Sequence, residues 1–331
     1  MKTQPRVSVV IIGRNEEEHL ADCIRSLQHL RYPGDKLEII YVDNDSSDRS
    51  LAIARRFPIR TLALKQARST PGLARNAGLQ AATGEFVHFI DGDMTMDPDW
   101  LVAALPAFAD ERVVAVVGRL REVRPQESLY NRFFDLGWET APLGEIGAPG
   151  GGGLFRTDRL RELGGYDDTL FGAEEIDLGY RLRARNLKTL RISHLMARHD
   201  IGMQSLRQFW RRGVRDGYWE MEMITRYFHW SWPLPQEYIW KMNVQLLAFA
   251  SLLLHVILHP TAGELAAVFV LPAIFFCKKV WYYHRATGKR AMSWLAAFFN
   301  YFNMFPIACG QLRFMRERMA GWWCRPAHRP A

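Results

Sequence analysis

Short apolar segments alternate with helical patterns along the first part of the chain. VSVVII (7–12), LEIIYV (37–42) and FVHFI (86–90) are rich in β-branched or aromatic residues, and sequences with helical periodicity separate them. Strands that alternate with helices form a mostly parallel sheet with right-handed crossovers. We therefore predict an α/β fold in which helices flank a mostly parallel sheet.

Pairs of aspartates follow two of these strands. Asp43 and Asp45 come directly after the second strand, and Asp91 and Asp93 come after the strand at 86–90. Ligands of open α/β sheets bind beyond the carboxyl ends of the strands, so we expect these four carboxylates to converge on one crevice. Closely spaced carboxylates suit a hard divalent cation whose shell is completed by diphosphate oxygens. The alternative is a plain polar turn ahead of the next helix.

Composition separates the two ends of the chain. Residues 1–228 read as ordinary soluble protein, whereas residues 239–310 carry most of the long apolar runs. The net charge of +8 suits nucleic acid, an acidic substrate or an anionic membrane surface, and the apolar tail favours the membrane. We predict an α/β domain at 1–228 and a hydrophobic helical membrane-attachment region at 229–331.

Three segments of the C-terminal region are candidates for membrane contact. The segments 244–258 and 265–277 are short against the roughly 20 residues that a spanning helix needs, but flanking aromatic residues extend both. We predict that they form a helical hairpin, with the basic segment 278–290 in the cytoplasm. Segment 291–310 either spans the membrane or lies in its interface. The alternative for the whole region is a buried helical core.

The N-terminus does not look like a cleaved signal peptide. MKTQPRVSVVII contains no long apolar stretch followed by a cleavage site. Together with the apolar C-terminal segments, this predicts an inner-membrane protein whose α/β domain faces the cytoplasm.

The order of the motifs resembles that of family-2 glycosyltransferases, which have the GT-A fold. The matching segments are VSVVIIGRNEEEHL, VDNDSSD, GLARNAGL, FIDGDM, GGGLFRTDRLRELGGYDD and GAEEIDLGYRLR, within about residues 6–220. Each motif alone has low specificity, but their joint order is highly specific. The resemblance implies an enzyme that uses a nucleotide-sugar donor and a divalent cation, Mg²⁺ or Mn²⁺.

The resemblance also implies which residues hold the donor and the metal. Ile12, at the end of the first strand, and Asp43 would meet the base and ribose of the nucleotide. Asp91 would meet the ribose or the metal, and Asp93 the metal. His199 in ARHD is a candidate for the metal or the diphosphate, with a structural histidine as the alternative.

Four further positions are looser matches. Arg14 stands where relatives often have an aromatic residue, so its guanidinium would stack on the base. Glu16 either touches the nucleoside or serves the dipole of a helix that Asn15 caps. Arg75 either reaches the base or diphosphate or lies on a solvated helix face. Arg68, in the preceding loop, is the alternative candidate for this contact with the base or diphosphate.

An acidic pair supplies the catalytic base that the resemblance implies. Relatives usually have Glu-Asp here, the second acid being the base, whereas this chain has Glu174 and Glu175. Glu175 takes the role by position, with Glu174 as the alternative. Inverting transfer is one in-line displacement, in which a base removes the proton of the acceptor hydroxyl while a metal stabilises the leaving diphosphate. The glycine run Gly150–Gly153 would lie beside the sugar and the acceptor.

These observations predict a metal-dependent inverting glycosyltransferase. Its partners would be a nucleotide-sugar donor, a polyprenyl-linked or other cell-envelope glycan acceptor and membrane lipids, without nucleic acid. A nucleotidyltransferase that makes sugar nucleotides is one alternative, but it would need a glycine-rich basic loop after the first strand, which IIGRNEEEH lacks. A noncatalytic membrane-anchored binder is the other, and it would lack the metal-binding or base acids that are present here.

Overall fold

The chain forms two compact units. The computed structural model describes residues 4–65, 69–227, 250–251, 254–255, 257–258 and 262–323. The first unit comprises Met1–Arg124 and Ala141–Ile201, and the second comprises Pro125–Thr140 and Gly202–Ala331.

A single mixed sheet organises the first unit. Its strands are β1 (Val7–Gly13), β2 (Leu37–Asn44), β3 (Arg60–Leu64), β4 (Phe86–Asp91), β5 (Met94–Met96), β6 (Val113–Glu122), β7 (Gly144–Ile146), β8 (Gly153–Arg156) and β9 (Lys188–His199). The order is β3-β2-β1-β4-β8-β6-β9-β5, and β7 also pairs with β9. Neighbours from β3 to β4 are parallel, as are β6 and β9, whereas β8 is antiparallel to both β4 and β6.

The predicted α/β class is confirmed, but the sheet is mixed and not mostly parallel, because β5, β7 and β8 pair antiparallel with their neighbours. Parallel neighbours need a crossover connection of about a dozen residues or more. Such crossovers join β1 to β4, whereas β5 follows β4 after only two residues and pairs antiparallel with β9. The alternation of strands and helices that predicts parallel pairing therefore ends at Asp91.

Helices cover the sheet of the first unit and form the second unit. They are α1 (Leu20–Gln28), α2 (Ser50–Ala54), α3 (Pro71–Ala81), α4 (Trp100–Ala104), α5 (Leu129–Glu139), α6 (Thr157–Glu162), α7 (Glu174–Arg183), α8 (Leu206–Tyr227), α9 (Ala262–Thr287) and α10 (Arg290–Trp323). Helix α3 begins with Pro71 in its first turn, and the Thr70 hydroxyl caps it by accepting a hydrogen bond from Leu73 N at 3.2 Å.

Helix α1 begins later than predicted. It starts at Leu20, and Asn15 instead adopts a left-handed conformation with φ of 61°. The Asn15 side-chain oxygen accepts a hydrogen bond from Ser47 N at 2.8 Å, which ties the end of β1 to the loop after β2. Glu16 therefore precedes the first residue of α1, and its carbonyl accepts a hydrogen bond from Leu20 N at 2.9 Å. Both interpretations of its side chain stay predictions.

The parallel strands end together at one edge of the sheet. All seven residues of β1 are buried, because helices cover both faces of a parallel sheet. In the register of the ladders, Gly13 lies opposite Asp43, and Ile12 lies opposite Asp91. The edge that carries the aspartates is thus fixed by buried strands.

Helices α8 and α10 of the second unit pack at very short range. A Cβ added at Gly217 of α8 would overlap the carbonyl of Ile307, and one added at Gly310 of α10 would overlap the carbonyl of Val214. The compact units divide after Ile201 and not at the predicted residue 228, because α8 packs with the C-terminal helices. The two-domain division itself stays a prediction.

No helix in the described ranges is both long and apolar enough to cross a membrane. Helix α9 contains the predicted segment 265–277, and α10 contains 291–310. Of the predicted segment 244–258, only 250–251, 254–255 and 257–258 lie within the described residues.

The structure therefore does not support the prediction of transmembrane helices at 265–277 and 291–310.

We expect Gly217→Ala to destabilise the second unit by about 1–3 kcal/mol, the usual cost of overpacking. The physical reason is that the new methyl group meets backbone atoms, which cannot move aside as a side chain can. The matched control is Gly137→Ala in α5, where a Cβ meets nothing within 4 Å. That change should stabilise the helix by about 0.5–1 kcal/mol. Urea unfolding of both variants checks this, and equal midpoints would contradict the close packing.

Candidate active site

Asp43 lies at the end of β2 with its carboxylate fixed by two donors. Tyr41 Oη donates to Asp43 Oδ1 at 3.0 Å, and Ser46 N donates to Oδ2 at 3.1 Å. Burial, and then the neighbouring Asp43 charge, raise the pKa of Tyr41 well above its usual range. The phenol therefore remains a hydrogen-bond donor, and the buried carboxylate keeps one orientation.

Arg75 connects three separate parts of the first unit. Its side chain is only 3% exposed, and Nη2 donates to Asp91 Oδ1 at 3.1 Å and to Gly151 O at 2.7 Å. Nη1 donates to Glu174 Oε1, and the guanidinium lies 5.4 Å from the centre of the Tyr166 ring. The alternative of a solvated helix face is wrong, since this arginine is a buried bridge between two acids.

Asp91 ends β4 and is partly exposed beside this bridge. Desolvation raises its pKa to about 6, although the Arg75 guanidinium acts in the opposite direction. Asp93 raises it further by charge repulsion. A Cβ at Gly151 would come within 3.1 Å of Asp91 Oδ2, so the glycine run lies directly against this carboxylate.

Asp93 and His199 lie side by side because β5 pairs with β9. His199 Nε2 is 3.0 Å from Asp93 Oδ2, and the register places Met94 opposite His199. The other carboxylate oxygen, Asp93 Oδ1, is buried and has no hydrogen-bond partner among the described residues. Burying a carboxylate oxygen without a hydrogen-bond partner costs free energy unless a ligand or ion binds it.

Glu16 adds a third carboxylate to the same crevice. A Cβ at either Gly13 or Gly92 would lie 3.0 Å from the Glu16 Cγ, so both glycines leave room for this side chain. Burial raises the pKa of Glu16 to about 8, and Asp93 and Asp91 raise it further by charge repulsion. The sequence suggests Glu16 as a site residue but does not reveal that the two glycines accommodate it.

Three carboxylates share this crevice, and the raised pKa values of Glu16 and Asp91 mark a place where a cation would be stabilised. Within the described ranges, no group of three or more histidine, cysteine, aspartate or glutamate side chains is arranged to chelate a metal ion by itself. The donor set is rich in carboxylate oxygens, which are the ligands that Mg²⁺ and Mn²⁺ prefer. The residues present therefore fit a hard divalent cation that also takes ligands from a bound substrate.

Glu174 and Glu175 begin α7 and have different environments. Glu174 is buried and paired with Arg75, whereas Glu175 is half-buried. Burial raises the pKa of Glu175 to about 7, and the neighbouring Glu174 charge raises it further. Ala173, the residue before the pair, has φ of 62°, which costs a non-glycine residue roughly 1–2 kcal/mol. The start of α7 thus pairs one acid with a buried guanidinium and gives the other a pKa close to neutral pH.

The remaining predicted residues lie as follows. Ile12 is buried at the end of β1, and Arg14 is exposed just beyond that strand. Arg68 lies outside the described residues. Their proposed contacts with a nucleotide remain predictions.

The bridging role of Arg75 was missed in the sequence, although a signal for its burial exists. Within α3, Gly72, Gly78 and Leu79 lie three or four residues from Arg75 and are buried with it. Residues at these spacings share one helix face, so an arginine among glycines and a leucine indicates a buried cation. Its partner Glu174 is 99 residues away in the chain and has no local signal.

The N-terminal part of the chain matches a known protein family. Residues 8–162 match the family described as Glycosyl transferase family 2. This segment is a family 2 glycosyltransferase domain. It contains Asp43, Arg75, Asp91 and Asp93 but ends before the acid pair at α7.

Curated relatives are glycosyltransferases. The chain is 30% identical over 204 residues to "Probable glycosyltransferase YdaM" of Bacillus subtilis (strain 168), covering 55% of this chain and 47% of that protein. It is 28% identical over 193 residues to the beta-monoglucosyldiacylglycerol synthase of Trichormus variabilis (strain ATCC 29413 / PCC 7937), covering 54% and 41%. The chain therefore spans less than half the length of these two relatives.

A solved structure supports the fold. The chain is similar to mannosyltransferase PcManGT from Pyrobaculum calidifontis in complex with GDP-Man and Mn²⁺, with a TM-score of 0.65 at 19% identity. The similarity covers 94% of this chain and 88% of that one. It confirms the predicted GT-A-like α/β fold.

We expect Arg75→Met to destabilise the first unit by about 3–5 kcal/mol, the range for breaking a buried ion pair. The loss arises because Glu174 would remain buried without its cation. Adding Glu174→Gln should restore part of the stability, since the uncompensated charge is then removed. Urea unfolding of the single and double variants measures the coupling.

The matched control for this prediction is Arg25→Met. Arg25 is exposed and pairs only at the surface, with Asp22, so its loss should change stability by less than about 0.5 kcal/mol. If Arg75→Met unfolded at the same urea concentration as Arg25→Met, the bridge would not stabilise the unit.

Proposed function

We propose that this chain is a metal-dependent, inverting glycosyltransferase that moves one sugar from a nucleotide-sugar to a lipid-linked or other cell-envelope glycan. The observation that carries the proposal is the chain of contacts from Asp91 through Arg75 to Glu174. It brings the aspartates at the end of β4 next to the acid pair at the start of α7. Donor-binding acids and a candidate base are thereby joined in one unit.

Asp93 and Asp91 are the residues that would hold the cation, with His199 as a neighbouring ligand. The buried Asp93 Oδ1 lacks a partner among the described residues, which supports this assignment. When bound, a divalent cation neutralises the charge of the leaving diphosphate. PcManGT was solved with Mn²⁺ and GDP-Man, which supports Mn²⁺ or Mg²⁺ and a nucleotide-sugar here.

Asp43, Ile12, Arg14 and Glu16 are assigned to the nucleoside of the donor. The Asp43 carboxylate is held in one orientation by Tyr41 and Ser46, which suits recognition of a base or ribose. In this proposal Arg75 positions Asp91 and Glu174, and it reaches the donor only through them.

Glu175 is the proposed base. Glu174 is committed to Arg75, whereas the half-buried Glu175 has a raised pKa, close to the value that proton transfer at neutral pH requires. Glu175 accepts the proton of the acceptor hydroxyl while that oxygen forms a bond to the anomeric carbon. The bond from this carbon to the diphosphate oxygen breaks, and the electron pair leaves with the diphosphate. A single displacement inverts the configuration.

A lipid-linked acceptor and a place on the cytoplasmic side of the inner membrane complete the proposal. The name of the Trichormus variabilis relative refers to a glycosylated diacylglycerol, which supports a lipid acceptor. A nucleotide-sugar hydrolysis screen with purified protein tests the proposal, because slow transfer to water needs no acceptor. Release of a nucleoside diphosphate from a sugar donor supports transfer, and a noncatalytic binder would release none.

We expect Asp93→Asn to lower donor hydrolysis by more than about 10²-fold. Loss of a residue that only supports a metal ligand already costs up to about 10²-fold, and Asp93 is proposed to contact the metal itself. An amide binds divalent cations poorly, and the leaving diphosphate would keep its full charge. Stability without metal should not fall, since the change removes a carboxylate that repels Glu16. The assay measures the release of nucleoside diphosphate at saturating donor as the Mn²⁺ concentration is varied.

Asp99→Asn is the control for this variant. Asp99 follows β5, has a side chain that is 43% exposed and pairs with Arg31. The activity of Asp99→Asn should therefore stay close to that of the parent. Wild-type activity of Asp93→Asn would refute the metal assignment.

We expect Glu175→Gln to bind donor and metal as the parent does but to transfer sugar about 10²–10⁴-fold more slowly, the usual contribution of a general base. Only the deprotonated carboxylate accepts a proton, so the parent rate should rise as pH increases through about 7. The residual rate of the glutamine variant should lack this rise. Transfer rates across pH and separate donor titrations provide the measurement.

Glu174→Gln is the matched comparison. It should lower stability, because Arg75 loses a buried partner. Its transfer rate should still rise with pH, but at a lower pH than in the parent, because the Glu174 charge that raises the pKa of Glu175 is gone. An inactive Glu174→Gln together with an active Glu175→Gln would assign the base to Glu174.

A further inference from the structure

Helix α10 carries an apolar stripe on the side opposite its packed face. Its packed face buries Ala297, Met304, Ile307 and Phe314. On the other side, exposed apolar side chains recur at helical spacing: Trp294, Phe298, Phe305, Leu312, Met315 and Met319. Four of them follow one another at intervals of seven residues: Phe298, Phe305, Leu312 and Met319. This spacing keeps them on one side of the helix. We call these six residues the α10 stripe.

Helix α8 presents a row of arginines. Arg207, Arg211 and Arg215 are exposed and follow one another at intervals of four residues, which places them on one face. Trp210 lies among them and is 37% exposed. We call the three arginines the α8 basic row.

The α10 stripe and the α8 basic row are joined by aromatic contacts. The Trp210 ring lies 5.9 Å from the Phe302 ring, which in turn stacks on Phe298 of the stripe at 6.0 Å. A cleft beside Trp210 is lined by Arg211 and Arg215. Apolar and cationic side chains thus form one continuous surface of the second unit.

The net charge of the chain resides in this unit. The first unit contains 26 lysines and arginines and 26 aspartates and glutamates, whereas the second contains 17 and 9. The whole excess of +8 therefore belongs to the second unit. An apolar stripe beside excess positive charge is the pattern of a helix that lies in the interface of an anionic membrane.

We propose that the second unit docks on the surface of an anionic phospholipid bilayer through the α10 stripe and the α8 basic row. The stripe enters the boundary between head groups and acyl chains, and the arginines pair with the anionic head groups. Helix α10 lies in the plane of the interface, because its other face packs within the protein. This inference deepens the proposed membrane location and rests on that part of the proposed function.

A second copy of the chain is the competing occupant of the α10 stripe. Symmetric pairing would bring two units of the same positive charge together, with the α8 basic row next to the apolar surface. Like charges oppose such an approach, whereas anionic lipid attracts the same arginines. Charge complementarity therefore favours the bilayer.

Sedimentation of the full chain with vesicles tests the proposal. We expect binding to vesicles of phosphatidylglycerol mixed with phosphatidylcholine and much weaker binding to phosphatidylcholine alone. Phe305→Gln combined with Leu312→Gln should weaken binding at least about tenfold, because two side chains lose their apolar environment. Arg211→Gln combined with Arg215→Gln should weaken binding to the mixed vesicles and flatten its dependence on salt.

The matched control is Val102→Gln combined with Val123→Gln, which removes two exposed apolar side chains from the first unit and should leave binding unchanged. Thermal unfolding of each variant confirms that it folds. Failure of the parent to bind mixed vesicles, or equal binding by the stripe variant, would overturn the proposal. A lipid-free dimer that the stripe variant converts to monomer would instead assign the stripe to a second copy. Because no donor is present, these outcomes are separate from those of the hydrolysis assays.

Discussion

The buried guanidinium of Arg75 is the interaction on which the candidate site depends. It bonds to Asp91 at the end of β4 and to Glu174 at the start of α7, two acids that are far apart in the chain. A planar guanidinium with several donors suits this task, since it can bond two carboxylates and a carbonyl at once. The positions of the neighbouring Asp93 and Glu175 follow from these two anchored acids.

The single positive charge of Arg75 does not compensate the charges of all the acids around it. The pKa of Glu16 is raised to about 8, that of Glu175 to about 7 and that of Asp91 to about 6. Each value reflects a carboxylate whose charge is opposed by burial and by its neighbours. Groups in this state gain stability from a bound cation or an added proton, which are the two things that the proposed reaction brings to the site.

Sequence reasoning located the site better than it described the contacts within it. Apolar strands followed by Asp43 and Asp91 predict one crevice, because parallel strands end at the same edge. The same reasoning did not predict that Arg75 is buried, since its partner acid is distant in sequence and a charged helical residue usually faces water. Sequence reasoning also predicted parallel pairing beyond β4, whereas β5 follows β4 without a helical crossover and pairs antiparallel with β9.

The distribution of charge has a consequence for the order of binding in the proposed reaction. The first unit is neutral as a whole, yet its crevice gathers Asp91, Asp93 and Glu16 on one side and the acid pair on the other. A nucleoside diphosphate carries negative charge of its own, so this crevice repels a donor that arrives without a cation. Among the described residues of the crevice, the buried guanidinium of Arg75 is already bound to two acids and to the Gly151 carbonyl. In the proposed reaction we therefore expect donor binding to be coupled to binding of the cation, so that the metal would contribute to recognition as well as to the displacement.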